Sequence, residues 1–238
     1  MNLEVKQKQF NAAMALYEGR KGYRLFGIFV SIANIALQIY ALFKVFALSI
    51  GLRWQIASII AAYVLTDFVN GLVHLYMDHN DRYESWAGPL IANFHLHHKK
   101  PRYEDNNVFV VYFNETGSKV WMVFYLAVVT VLFHLSGINP VLLYTLTYIG
   151  ILSSVAEVSH YLAHNSMSLA VLFLARIKLL LSKRQHALHH LQDNMSYTFL
   201  NGLTDPLVNW IARRYFIGYK NNTDLHYATY TGSNLPRR

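Results

Sequence analysis

Twelve histidines stand in 238 residues, and ten of them fall in four groups. These are His74 and His79; His95, His97 and His98; His160 and His164; and His186, His189 and His190. Imidazole is a ligand for iron, zinc and copper. His160 and His164 are four apart, so on a helix they share a face and can hold one ion. In the run from His186 to His190, His186 shares a face with either His189 or His190, leaving the other free to turn toward a second ion. The doublets His97-His98 and His189-His190 also suggest two ions, because one zinc needs only three or four ligands and this chain offers far more. His134 and His226 stand apart and receive no role. The chain has no cysteine, which excludes disulfides, thiolate zinc sites and thiolate nucleophiles together.

Carboxylates join the histidines. Asp78 lies four residues after His74 and fits its helical face better than His79, at five. Asp67 lies seven before His74 on the same face, inside an apolar run where an ionisable group is costly and is a candidate functional residue. Its expected role is to hold a histidine ligand by the other ring nitrogen. Glu157 precedes His160 by three, the spacing that di-iron bundle proteins use for ligands. It is a candidate ligand or a group behind one.

These groups need elements that gather them. Apolar residues make up 54% of the chain and charged residues only 14%, and mean hydropathy is positive. That composition and the length fit one membrane domain. Uncharged Leu25–Phe43 forms a first span, and Trp54 to about Met77 a second whose only formal charge is Asp67. Trp121–Ala156 holds no Asp, Glu, Lys or Arg. The Ser136–Pro140 break divides it into two further helices. The expected fold is therefore an all-α integral membrane protein of about four transmembrane helices. Interfacial helices are expected near Leu169–Leu181 and in Phe199–Phe216. Residues 1–24 form an N-terminal segment of mixed polarity without a cleavable signal, 25–216 the membrane domain, and 217–238 a C-terminal tail.

Charge sets the orientation. The formal net charge of +8 resides in basic residues flanking apolar runs, which points to lipid headgroups rather than nucleic acid. With both termini cytoplasmic, only Lys44 and Arg53 fall on the far side, as the positive-inside rule requires. All four histidine groups then lie at the cytoplasmic face, the second of them in a loop.

Four segments resemble the Kua/CarF lipid desaturase family, whose members include plasmanylethanolamine desaturase and a plant plastid desaturase of phosphatidylglycerol. Asp67-Phe68-Val69-Asn70-Gly71-Leu72-Val73-His74, with Asp78 after it, is similar to the family's D-F-x-x-G-L-V-H-x-x-x-D. Phe94-His95-Leu96-His97-His98-Lys99-Lys100-Pro101 resembles its F-R-E-H-H-x-x-P. Ser159-His160-Tyr161-Leu162-Ala163-His164 shares two histidines with its H-K-W-S-H. Lys183-Arg184-Gln185-His186-Ala187-Leu188-His189-His190, followed by Tyr197, resembles its R-K-H-H-R-I-H-H segment and downstream tyrosine. The departures are Leu75-Tyr76, His95, Gln185 and the additional His79.

The resemblance implies a metal-binding set of His74, Asp78, His97, His98, His160, His164, His186, His189 and His190. Asp67, His79, His95 and Glu157 stand as additional ligands or supporting groups, and His79 remains an alternative to Asp78. It further implies two ferrous ions, O2 as co-substrate, a membrane phospholipid substrate, and a cytoplasmic-side electron donor of cytochrome b5 or ferredoxin type. The expected activity is an oxidoreductase that desaturates an alkyl or acyl chain, with plasmanyl-to-plasmenyl conversion (plasmalogen formation) as one form. A hydroxylase on the same site is the nearest rival. The missing His-Glu-x-x-His argues against a zinc hydrolase. Histidines gathered at one surface argue against a metal transporter, whose ligands belong near the midplane. A haem protein is the remaining non-enzymatic reading.

Overall fold

The structure, a computed structural model, describes residues 3–99, 107–114, 119–192 and 195–216. The 217–238 tail, His226 and most of the Lys99–Arg102 basic run lie outside them. Ten helices occur among the described residues: α1 (Leu3–Gly19), α2 (Lys21–Phe46), α3 (Gly51–Asp78), α4 (Gly88–Lys99), α5 (Val108–Phe113), α6 (Val120–Leu132), α7 (Pro140–Asn165), α8 (Leu169–Arg176), α9 (Lys183–Gln192) and α10 (Asp205–Tyr215).

Helices α2, α3 and α7 are long and apolar enough to cross a bilayer. The shortest have 26 residues, or about 39 Å at 1.5 Å per residue, against a hydrocarbon core of roughly 30 Å. The expected third span is shorter. Helix α6 has 13 residues, and its apolar run ends at the Ser136–Pro140 break, where Gly137 adopts φ +82°. Asn139 then caps α7 by accepting from Val141 N at 2.9 Å, with Pro140 opening the helix, as the sequence signals of a helix start require.

Polar contacts between the long helices fix their directions. Ser58 meets the Val141 carbonyl at 3.3 Å, and Asn70 meets Ser153 Oγ at 3.1 Å. These contacts advance together along α3 and α7, so the two helices run parallel. Both therefore deliver their C-terminal turns, with His74, Asp78, His160 and His164, to the same end of the molecule. Gln38 of α2 donates to Ser154 Oγ of α7 at 2.9 Å, and Tyr125 of α6 donates to the Leu146 carbonyl at 2.7 Å. Such bonds satisfy polar groups that water cannot reach.

Two differences from the sequence reading bear on the site. His95, His97 and His98 sit on helix α4 rather than in a loop. The N-terminal segment is also folded onto that helix. Phe10, Ala13 and Met14 of α1 are buried with Tyr83, Ile91, Ala92 and Leu96, and Lys6 pairs with Asp81 at 3.0 Å. The expected interfacial segments resolve into α8 and α10, separated from their neighbours by irregular chain at 177–182 and 195–204.

Candidate metal centre

The C-terminal turns of α3 and α7, together with α4 and α9, bring eight histidines into two adjacent quartets. His74, His97, His98 and His189 form one, and His160, His164, His186 and His190 the other. Within each quartet one ligand atom from every residue lies within 4.8 Å of all the others, which is a geometry able to hold a metal ion. The quartets abut: ring centroids are 4.9 Å apart for His98 and His190 and 5.3 Å for His97 and His160.

The hydrogen bonds of the first quartet fix which nitrogen faces inward. A carbonyl can only accept, so each ring nitrogen beside one carries the proton. His74 Nδ1 donates to Tyr197 O at 2.7 Å, His189 Nδ1 to Met195 O at 2.8 Å, and His97 Nδ1 to Phe94 O. In the neutral ring this leaves the Nε2 lone pair of all three turned toward the centre. Burial, reinforced by neighbouring imidazoles, holds His97 well below the ordinary histidine range and keeps it in that neutral form, which is able to ligate a metal.

Asp78 completes this group. Its oxygens lie 3.2 Å from His98 Nε2 and 3.4 Å from the Nε2 atoms of His74 and His189. A buried carboxylate facing the lone pairs of His74 and His189 is unfavourable unless a cation lies among them. The donor set therefore fits a divalent metal. His79 belongs to neither quartet. It ends α3, with Nδ1 on the Leu75 carbonyl at 2.9 Å and its ring against Phe216.

In the second quartet the Nε2 atoms converge directly. His186 Nε2 lies 2.8 Å from those of His164 and His190, and His164 Nε2 lies 3.2 Å from that of His160. Imidazoles at right angles around one ion, with bonds of about 2.1 Å, would stand ~3.0 Å apart. Burial and the surrounding imidazoles depress His186 well below the usual range. Among the described residues, His97 Nε2, His74 Nε2 and His186 Nδ1 are buried without a hydrogen-bond partner, a cost that coordination or a polar partner would offset.

The remaining sequence candidates lie outside both quartets. His95 is buried on α4, where Nε2 donates to the Met77 carbonyl at 2.8 Å and Nδ1 receives the Tyr83 hydroxyl at 2.7 Å. Nε2 thus ties α4 to the end of α3, and Nδ1 ties it to the turn that joins the two helices. Glu157 is buried one turn before His160. Asp67 does not meet a histidine as expected. Its carboxylate accepts from the backbone of Asn201, Gly202 and Thr204 at 2.9–3.2 Å, and from Thr204 Oγ1 at 2.7 Å.

This points to a component that sequence reasoning missed, the irregular 195–204 segment. It supplies the Met195 and Tyr197 carbonyls that orient His189 and His74. Ser159 Oγ donates to Leu200 O at 2.6 Å, and Ser196 N donates to Asn209 Oδ1 at 2.8 Å. Gly71 allows the close approach of this segment to α3, since a Cβ there would lie 2.6 Å from Thr198 Cγ2. Gly202 turns with φ +81° beside Gln185. Asp205-Pro206 carries a helix-start signal in the sequence, and that signal gives no tertiary partner.

Asp205 accepts from Thr198 N at 2.8 Å and from Gln185 Nε2. Burial pushes its pKa up to about 6, with Asp67 adding and the hydrogen bonds opposing. A carboxyl raised on folding contributes stability that is full below its unfolded value near 4 and is lost as pH rises through 6. Asp205→Asn is therefore expected to gain stability relative to the parent between pH 4.5 and 7.5, by about 2 kcal/mol. Paired melting curves in detergent check this, because histidine titration common to both proteins cancels in the difference. A pH-independent difference would refute it.

A family model described as the lipid desaturase domain matches residues 63–213, more than half of the chain. The chain belongs to the Kua/CarF-type lipid desaturase family. No curated protein and no solved structure matches it. The lipid desaturase domain so defined contains all eight quartet histidines, Asp78 and the 195–204 segment. Helices α1 and α2 lie before it.

Proposed function

We propose that this protein is a multi-pass membrane oxidoreductase that uses two iron ions and O2 to introduce a double bond into an alkyl or acyl chain of a membrane phospholipid. Formation of a plasmenyl vinyl ether is one instance. The observation that carries the reading is the pair of abutting imidazole quartets with Asp78, built at one end of apolar helices in a lipid desaturase family member. In this reading His74, Asp78, His97, His98 and His189 hold one iron, and His160, His164, His186 and His190 hold the other. The membrane is crossed by α2, α3 and α7 with α6 as a short fourth span, and the quartets face the cytoplasm with both termini. Electrons arrive from a cytochrome b5-like or ferredoxin-like donor on that side.

An unactivated methylene has no acidic proton, so side chains alone cannot begin its oxidation. The iron pair, when bound, supplies redox chemistry with O2 strong enough to remove hydrogen from carbon. The balance is one O2, two electrons and two protons consumed with two hydrogens from the chain, giving the alkene and two waters. The protein's residues do the positioning. Met195, Tyr197 and Phe94 carbonyls fix three histidines in the ligating tautomer. Phe199 and Phe94 pack edge-on against His74 at 5.6 Å and exclude water around it.

The test is metal analysis of detergent-purified protein followed by lipid product analysis. About two irons per chain and a new double bond are expected, with both lost after chelation and both restored by ferrous iron. An added hydroxyl would establish the hydroxylase instead. A single zinc, or a haem absorption band, would remove the reading altogether.

A further inference from the structure

We infer that a phospholipid lies in a groove on the α2 side of α3 and α4, with its phosphate at Arg20 and Lys21 and one chain running down toward the histidines. The inference rests on the proposed desaturase reading for the fate of that chain, but not for its binding. The groove is an apolar cavity of about 440 Å³ whose walls include Phe26, Leu72, Val73, Tyr76, Trp86 and Leu90. It continues into a second cavity of about 540 Å³, because Phe26, Trp86 and Leu90 line both. That second cavity is bounded by Arg20, Lys21 and Tyr23. One continuous depression is thus cationic at its outer end and hydrocarbon-lined within.

Charge complementarity selects the occupant. Arg20 and Lys21 are exposed, and among the described residues neither forms an ion pair. They sit at the break between α1 and α2, the level at which α2 would leave the headgroups. Phe26 follows about 7 Å deeper along α2. Trp86 and Tyr76 remain 83% and 61% exposed while walling the cavity, as amphipathic rings at a headgroup boundary do. A phosphate anion above and an apolar chain below match this order, whereas a free anion would leave the hydrocarbon-lined part unfilled.

The groove also adjoins the metal centre. On α3, Val73 and Met77 face the cavity while His74 and Asp78 face the quartet. On α4, Leu90 and Ile91 line the cavity, and one turn later Phe94 packs on His74 and His97. The outer end of the groove comes from residues before the matched desaturase domain, so substrate recognition here is assigned to the chain's N-terminal helices.

Tryptophan quenching tests this. Full-length protein carrying Trp54→Phe and Trp210→Phe keeps Trp86 and Trp121, both on the groove. It is titrated in detergent with lysophosphatidylglycerol brominated along its chain, and separately with the monoacylglycerol of the same chain. Half-quenching by the phospholipid is expected at roughly 25-fold lower concentration, about fivefold for each of the two cations. Arg20→Gln with Lys21→Gln should erase that advantage, and Leu90→Phe should weaken quenching by both lipids. Millimolar inorganic phosphate should not reproduce the effect of a chain-bearing lipid. Equal quenching by the two lipids, unchanged in the double variant, overturns the inference. Quenching as expected with no desaturated product refutes the catalytic reading and leaves the groove. Wild-type desaturation in the double variant refutes the groove and leaves the catalytic reading.

Discussion

Purified His186→Ala protein is expected to hold at most one iron per chain and to form no measurable desaturated lipid, while His79→Ala keeps both irons and most activity. The contrast follows from where the two rings point. His186 Nε2 lies 2.8 Å from both His164 Nε2 and His190 Nε2, and its ring centroid is 4.4 Å from that of His160. It is the hub of its quartet, so its loss removes one donor and the packing that sets three others. Changes behind a ligand already cost 10–100-fold, so loss of a ligand is expected to cost at least about a hundredfold in activity. His79, by contrast, spends Nδ1 on the Leu75 carbonyl and rests on Phe216. Iron content and product yield of the two variants decide the matter. Equal losses in both would return His79 to the ligand set and sink the assignment of the second quartet.

The sequence made the local part of this site legible and left its supports hidden. Spacing of four put His160 and His164 on one face, and of Asp78 and His79 it favoured Asp78; the structure places Asp78 against three imidazoles. The apolar runs located α2, α3 and α7, although each helix extends beyond its apolar run because flanking polar residues continue the hydrogen-bonded ladder. Helix α6 ends early because Gly137 and Pro140 interrupt a run whose composition alone reads as continuous. The second histidine group read as loop because Gly88-Pro89 and the polar residues 79–85 before it mask a helix stabilised by burial. Phe10, Ala13 and Met14 have helical spacing, but that they cover α4 depends on a contact some eighty residues away. Asp67 stood out as a carboxylate in an apolar helix, yet its partners come more than 130 residues later. Periodicity reports which face is buried and says nothing of what covers it.

That distant contact gives the second large effect. Asp67 is fully buried and accepts four hydrogen bonds from Asn201, Gly202 and Thr204. Asp67→Ala leaves those donors without their acceptor, at about 1–3 kcal/mol for each one that stays buried, so a loss of roughly 3–5 kcal/mol in stability is expected. The chemistry should suffer selectively. The released segment carries Met195 and Tyr197, whose carbonyls orient His189 and His74, and both histidines belong to the first quartet. The Nε2 atoms of the second quartet lie against one another, and the segment meets that quartet at Phe199, whose ring centroid is 5.5 Å from that of His160. Protein recovered at low temperature should therefore lose the first iron at lower chelator concentration than the second, by about tenfold or more. Asp67→Asn, which keeps one acceptor oxygen, should fall between the alanine variant and the parent in both stability and metal retention. A merely structural carboxylate would lower the melting temperature and release both irons together. Separation of the two release steps distinguishes a positioning role for Asp67 from a contribution to stability alone.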